Sequence, residues 1–263
     1  MFSRKLLEPR PDTFFNTALL GSSLLFLDEM FWGGDKKLAG AWKALITEPV
    51  HQINQKYLPI ISQKSCHNVI VASNNAHLAP VELKDRRSLV LSIDNKHAGS
   101  QDATSSAYFQ RLRQVPVKAF ARVLYTRDLR GWNSRRFPHT DAIQAQQEQS
   151  LGPVHRWWIK VITDGFIEGA GAYGARAQLS LDQTTECDKA SVYTSFTASP
   201  MVQAKFTNDA HFWRTMKVLV PDLSYRRVRV GEARNRTVVF PPLPQLKAQW
   251  TARAGGRWRF SDD

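Results

Sequence analysis

Cysteine is scarce in this chain: Cys66 and Cys187 are the only two in 263 residues. They stand far apart and match no C-x-x-C spacing, which argues against a disulfide framework and leads us to expect a cytoplasmic protein in a reducing compartment. No apolar run approaches the roughly 20 residues that cross a bilayer, so no membrane partner is expected. The start, Met1-Phe-Ser-Arg-Lys-Leu-Leu-Glu-Pro-Arg-Pro11, places Glu8 and two prolines where a secretion signal needs an unbroken apolar core. None of the seven histidines forms H-x-x-x-H, and Cys66-His67 are too close in sequence for a typical zinc pair, so no structural metal is expected. There is no nucleophile elbow, and the sequon Asn235-Arg-Thr237 has no meaning in a cytoplasmic protein. A phosphate-binding G-x-x-x-x-G-K-[ST] loop is also missing; Gly33-Gly-Asp-Lys-Lys37 lacks the spacing that lets backbone amides wrap a phosphate.

Positive charge is abundant. Thirty-six Lys and Arg against 23 Asp and Glu give a formal charge of +13 and a pI near 10.0, which suits a polyanion such as nucleic acid or simply a solvated basic surface. From Lys205 to Arg259 there are twelve Lys and Arg against Asp209, Asp222 and Glu232. Phe212, Trp213, Tyr225, Trp250 and Trp258 are interleaved with them, residues that can pack a small core or stack on unpaired bases. Two alternating runs, Arg226 to Val230 and Arg236 to Phe240, flank Gly231 and predict a β-hairpin. Arg226, Arg227 and Arg229 on that hairpin are the candidate contacts to a nucleic-acid backbone.

Composition divides the chain. From Phe14 to about Asp94 apolar runs alternate with helical spacing, the βα order of a parallel sheet covered by helices. From about Ser105 to Phe166, Gln, Arg and Ala predominate with helical spacing broken by Pro116, Gly131, Pro138 and Gly152-Pro153. Gly169-Ala-Gly171-Ala-Tyr-Gly174 matches G-x-G-x-x-G, but no strand run precedes it, so we read a flexible connection rather than a dinucleotide site. The expected organisation is an α/β core over residues 1–104, a helical segment over 105–166, a linker over 167–189 and a basic module over 190–263.

The candidate chemistry lies in the first region. Ser23-Leu-Leu-Phe-Leu27 is an apolar run of the kind buried in a parallel sheet, and it ends in Asp28-Glu29, the form of a Walker B motif. A rigid strand would present Asp28 at the sheet's carboxyl edge to hold a Mg²⁺ water shell and Glu29 to polarise an attacking water. The plainer reading is a strand that ends in two solvated acids. A second run, Asn68-Val-Ile-Val-Ala72, ends in Ser73-Asn74-Asn75, which would bring an uncharged amide to the same edge as a γ-phosphate sensor, or else start a turn. Arg86-Arg87 precede a third strand-like run, Ser88 to Ile93, and form either a surface patch or an arginine finger. Between the acids and the Asn strand, Gly33-Gly34-Asp35 caps a helix from Lys36 to about Thr47 whose buried stripe is Leu38, Ala41, Trp42 and Leu45. The polar stretch Gln52 to Lys56 follows as a turn that can touch nucleic acid.

In this order, Phe15-Asn16, Leu27-Asp-Glu29, Phe31-Trp-Gly-Gly-Asp-Lys-Lys37, Leu45-Ile-Thr-Glu-Pro49, Ala72-Ser-Asn-Asn75, Pro80 and Asp85-Arg-Arg87 resemble the helicase domain of phage primase-helicases and primase-polymerases of superfamily 3, relatives of the poxvirus-type primase-helicases. The similarity runs on through Pro138-His-Thr140, Ser150-Leu151 and Trp157-Trp158 to Pro241-Pro-Leu243. The resemblance implies a partial AAA+ P-loop-type parallel sheet, then an α-rich segment and a winged-helix-like C-terminal module. It implies ATP-driven DNA unwinding by a homo-oligomeric ring with ATP and Mg²⁺ between subunits, on single-stranded or forked DNA. By it Asp28 holds the metal, Glu29 activates water, Asn74 is the sensor, Arg86 or Arg87 the finger, and Lys56 sits on the hairpin that follows DNA in the pore. The family's loop and strand before the Walker B strand are absent, so we expect a truncated, split or decaying reading frame, inactive as an ATPase alone. The alternative expectation is a catalytically dead DNA-binding or ring-interaction protein. Ala76-His77 replace the aromatic residue usual after the Asn pair, and Lys84-Asp85 replace two acids before the Arg pair.

Overall fold

The computed structural model describes residues 16–28, 36–97, 103–133, 136, 138–200, 208–230 and 233–260, without side chains at 36–38, 103–105, 229–230 and 233–235. The chain is a mixed α/β structure of small sheets and several helices. It divides into two compact units, one of residues 1–85 with 144–263 and the other Arg86–Ile143.

The larger unit opens with β1 (Leu24–Leu27), α1 (Lys36–Thr47), β2 (Val50–Ile53), β3 (Ile61–Lys64) and β4 (Asn68–Val71). β1 and β4 pair in parallel, Leu24 against Asn68 through Leu27 against Val71, so both chains leave the pair at the same edge. Leu25 and Leu27 are buried with Trp42 and Leu45 of α1 and with Ile53 of β2, a small core in which each fully buried Leu or Ile contributes about 1.5–3 kcal/mol. Leu24 and Phe26 on the other face are exposed, which corrects the expectation of a fully buried run: among the described residues helix covers one face only. The α1 stripe is buried at Trp42 and Leu45 and half-buried at Ala41, whereas its Asp35 cap and the Leu38 side chain lie outside the described residues.

β2 and β3 form an antiparallel hairpin. Asn16 holds its turn end: Asn54 N donates to Asn16 Oδ1 at 2.7 Å, and Asn16 Nδ2 donates to Gln52 O at 2.8 Å. His51 and His67 stack at 5.0 Å beside it, and burial followed by the neighbouring His67 lowers the His51 pKa.

The second unit contains α2 (Ala103–Arg113) and α3 (Val117–Tyr125). The run from Ser88 to Ile93, expected as a strand, is not one: it has no ladder partner among the described residues, and Leu89, Leu91 and Ile93 are exposed. An apolar run becomes a strand only where a neighbour pairs its backbone. α3 has no buried residue; Val117, Phe120, Val123 and Leu124 are all exposed.

Helix α4 (Asp141–Ser150) leads back into the larger unit. Its polar face fastens the extended segment after β4: Leu78 N donates to Gln146 Oε1 at 2.8 Å, Val81 N to Ser150 Oγ at 3.0 Å, and Gln147 Nε2 donates to Glu82 O at 3.1 Å and Leu83 O at 3.2 Å. The C-terminal part follows as α5 (Pro153–Asp164), β5 (Phe166–Ile167), β6 (Ala177–Gln178), β7 (Thr185–Asp188), α6 (Lys189–Ala198), α7 (Asp209–Leu219), β8 (Ser224–Val230), β9 (Ala233–Phe240) and α8 (Leu243–Arg253). β7, β9 and β8 form one antiparallel sheet in that order. Trp157, Trp158, Phe196, Phe212, Phe240, Trp250 and Trp258 fill its core; Phe196 and Phe212 stack at 4.6 Å and Trp158 and Phe240 at 5.6 Å.

Residues 167–189, read from the sequence as a linker, are packed: Ile167, Ala170, Ala177 and Leu179 are buried. Gly171 serves close approach rather than looseness. A Cβ on Gly171 would lie 2.6 Å from Arg176 O, and Gly165 ends α5 at φ 78°, a left-handed cap.

Candidate functional site

Three places gather the sequence-derived site residues. The first is the carboxyl edge of β1 and β4. The ladder continues past the strands, with Ala72 N donating to Leu27 O at 2.9 Å, so Asp28 and the Ser73-Asn74-Asn75 turn leave the pair side by side. Both Asp28 and Asn74 are exposed. Asn75 supplies the local turn, since its backbone N and its Nδ2 both donate to Ser73 Oγ, at 3.1 and 3.0 Å. The Asn74 amide makes no hydrogen bond among the described residues and is available to a ligand. Glu29 lies outside the described residues. Arg86 and Arg87 are exposed and belong to the second unit.

The residues at this edge fit half of a magnesium nucleotide. A carboxylate and an uncharged amide suit a metal's water shell and a phosphate oxygen, but no run of backbone amides for the β and γ phosphates exists in the sequence. We therefore derive no hydrolytic step for this chain.

The second place is the turn between β2 and β3. Lys56 is exposed there, with Nζ 4.8 Å from the centre of the Tyr57 ring. Tyr57 is 88% exposed at φ 62°, a left-handed conformation that a non-glycine residue rarely adopts. The sequence pointed to Lys56 and missed Tyr57, because an aromatic in a polar turn carries no periodic signal.

The third place is the hairpin of β8 and β9. Its register sets Arg227 opposite Arg236 and, two residues farther along, Arg229 opposite Arg234; the Arg229 and Arg234 side chains lie outside the described ones. Arg226 donates from Nη1 to Glu186 Oε1 of β7 at 2.8 Å. Below the hairpin, a basin of roughly 330 Å³ is lined by Lys189, Tyr225, Arg226, Arg227 and Arg236.

Its wall is built by the starts of two helices. Asp188 caps α6 by accepting from Ser191 N at 2.9 Å, which fixes Lys189 at the first helical position. Asn208 caps α7 in the same way through His211 N at 2.8 Å, and Asp209 Oδ1 accepts from Trp213 Nε1 at 2.7 Å. Lys189 Nζ lies 4.9 Å from the Trp213 ring centre and 3.9 Å from Asp209 Oδ2. Tyr225 meets Trp213 edge-on at 6.0 Å; burial and then the Asp209 carboxylate raise its pKa, so the phenol stays a neutral donor. Lys189 and Arg236 were not singled out by sequence reasoning. The two alternating runs either side of Gly231 in the sequence were the available signal for Arg236, since their pairing sets Arg236 opposite Arg227.

Residues 5–87 match the model of a family described as being of unknown function, DUF5906. The curated proteins contain no match. Among solved structures the fold is similar to an apo structure of the NrS-1 C-terminal region (305–718), with TM-score 0.60 and 16% identity over 87% of this chain and 58% of that one. Two A-form apo structures of the same region give TM-scores of 0.57 and 0.56, also at 16% identity and 87% of this chain. The chain thus spans less than two thirds of the solved chains whose fold it shares.

Proposed function

We propose that this chain is part of a phage replication protein of the superfamily 3 helicase kind, which engages DNA but does not turn over ATP by itself. The observation that carries this reading is the parallel register of β1 and β4: both chains leave the pair at one edge, an arrangement that would suit Asp28 as a Walker B acid and Asn74 as a sensor amide. In the assembled protein Asp28 would hold the Mg²⁺ of a bound ATP through water, and Glu29 would orient the attacking water. Arg86 or Arg87 would serve a neighbouring subunit of a ring. Lys56, on its hairpin turn, and the β8–β9 hairpin with Arg227 and Arg229 would meet single-stranded or forked DNA in the host cytoplasm, with Arg226 held by Glu186. Helices α6 and α7 beside a sheet ordered β7-β9-β8 would suit a winged-helix reading, in which the β8–β9 hairpin would be the wing that contacts DNA. The likeness to the NrS-1 region supports the phage-replication reading at the level of fold.

A second reading, a DNA-binding or ring-interaction protein without any ATP chemistry, is favoured by the missing phosphate loop. One purified preparation tests the proposal, and the DNA upstream of Met1 separates the two readings. The chain should bind fluorescent forked DNA with an affinity that falls steeply with salt, and should release no phosphate from Mg-ATP. Hydrolysis abolished by Glu29→Gln would overturn the claim that the chain alone is inactive. A G-x-x-x-x-G-K-[ST] encoded upstream, in frame or one frameshift away, favours the helicase reading, and its absence the second.

A further inference from the structure

The arginines of the hairpin differ in their surroundings. Arg226 is engaged with Glu186 at 2.8 Å. Arg227 and Arg236 face each other across the ladder, and neither guanidinium has a hydrogen bond or ion pair among the described residues. Like charges directly opposite on a sheet repel, with Cβ atoms about 4.5–5.5 Å apart, so an anion between them relieves a cost that the empty pair bears.

We propose that Lys189, Arg227 and Arg236, with the Tyr225 hydroxyl, hold a backbone phosphate of a nucleic-acid strand in this basin, and that Arg226 takes no part. The inference rests on the DNA-binding reading and gives it a defined site. Lys189 is positioned in advance: its side chain is only 23% exposed, laid over Trp213 and within 3.9 Å of Asp209. The two guanidiniums supply planar forks that match phosphate oxygens, and Tyr225 adds a neutral donor. A volume of roughly 330 Å³ has room for the phosphate and part of its sugar. A strand-borne phosphate is favoured over a single free anion because the register repeats an Arg pair, Arg229 with Arg234, two residues farther on, about 6.8 Å along the strand. That repeat suits a polyanion tracking the hairpin.

The test uses the full chain, a fluorescein-labelled oligothymidine and a set of variants that each remove one positive charge. Arg227→Ala, Arg236→Ala and Lys189→Met, the last keeping an apolar stem over Trp213, should each weaken binding on the order of tenfold and reduce the slope of log K against log salt by about 0.7. Arg226→Ala should change affinity less than about twofold. Without DNA, Arg236→Ala should leave the melting temperature unchanged or raise it, because a repulsive pair is removed. Equal losses from Arg226→Ala and Arg227→Ala would reduce the site to diffuse electrostatics. A fall of several degrees in the Arg236→Ala melting temperature would make that residue structural and overturn its assignment. Competition by inorganic phosphate or polyglutamate at concentrations matching the oligonucleotide's nucleotides would show an anion site without preference for nucleic acid, and would also overturn it. If the unmodified chain binds no DNA, the DNA-binding reading itself fails; if it binds while the variants behave alike, only the basin fails.

Discussion

In the C-terminal half of the larger unit Trp158, Phe196, Phe212, Phe240 and Trp250 are each under 2% exposed, whereas in β1 and β4 Leu24, Phe26 and Ile70 stand 54%, 56% and 48% exposed. Both halves are rich in apolar residues, but only one encloses them. The C-terminal sheet has a strand on each side of β9 and helices α5, α6 and α7 packed through aromatic rings, so its core closes on itself. The β1–β4 pair has helix on one face and no strand at either outer edge among the described residues. The difference teaches that the basic hairpin stands on a self-sufficient base, while the acid and amide edge stands on half a sheet.

The sharpest way to break this contrast is to empty the closed core. Trp158→Ala should cost about 3–5 kcal/mol and abolish cooperative melting, followed by circular dichroism. A retained sharp transition would show that the N-terminal half carries more of the stability than its burial implies. Thiol labelling separates the halves next. Cys66 is exposed, while burial and then Asp188 push Cys187 up to about 11, so a thiol reagent at neutral pH should modify one cysteine in the native chain and both after denaturation. Rapid native modification of Cys187 would mean that the C-terminal core opens.

A smaller effect follows from the histidines. His51 in the first half is lowered by burial and then His67; His155 in the second is lowered by burial, then Arg253 and His211. A histidine whose folded pKa lies below 6.5 leaves stability unaffected well above that value. As pH falls through it, the unfolded chain takes up the proton first and stability drops. Urea melts at falling pH should therefore show declining stability, with His51→Gln and His155→Gln each flattening the decline; unchanged slopes would remove these groups from the account. The smallest change is expected from Phe26→Ser on the uncovered face of β1, within about 0.5 kcal/mol and with less aggregation by light scattering. A large loss there would mean that another surface covers β1.

Where side-chain period alone decides structure, the sequence was legible. The α1 range, the two runs of the β8–β9 hairpin and the joint exit of β1 and β4 all followed from period and punctuation, because each is a local or near-local pattern. Ser88 to Ile93 has the same composition as a strand but lacks a partner, and pairing is not a property of the run itself. The glycines around Gly171 resemble a flexible connection until the Arg176 carbonyl that crowds them is placed. Lys189 was illegible as a site residue for the same reason: its value lies in Trp213 and Arg227, which approach it only after α6, α7 and the hairpin have folded together.

The grip of α4 on the segment after β4 has an architectural consequence. Gln147 reaches the carbonyls of Glu82 and Leu83, so the chain leaves the larger unit and re-enters it at nearly the same spot. Everything in Arg86–Ile143 is therefore an insertion hung from a stapled doorway, and closing that doorway needs only a short splice. Such a joint would let residues 86–143 change in length without loosening the hydrogen bonds that hold the two ends of the segment together.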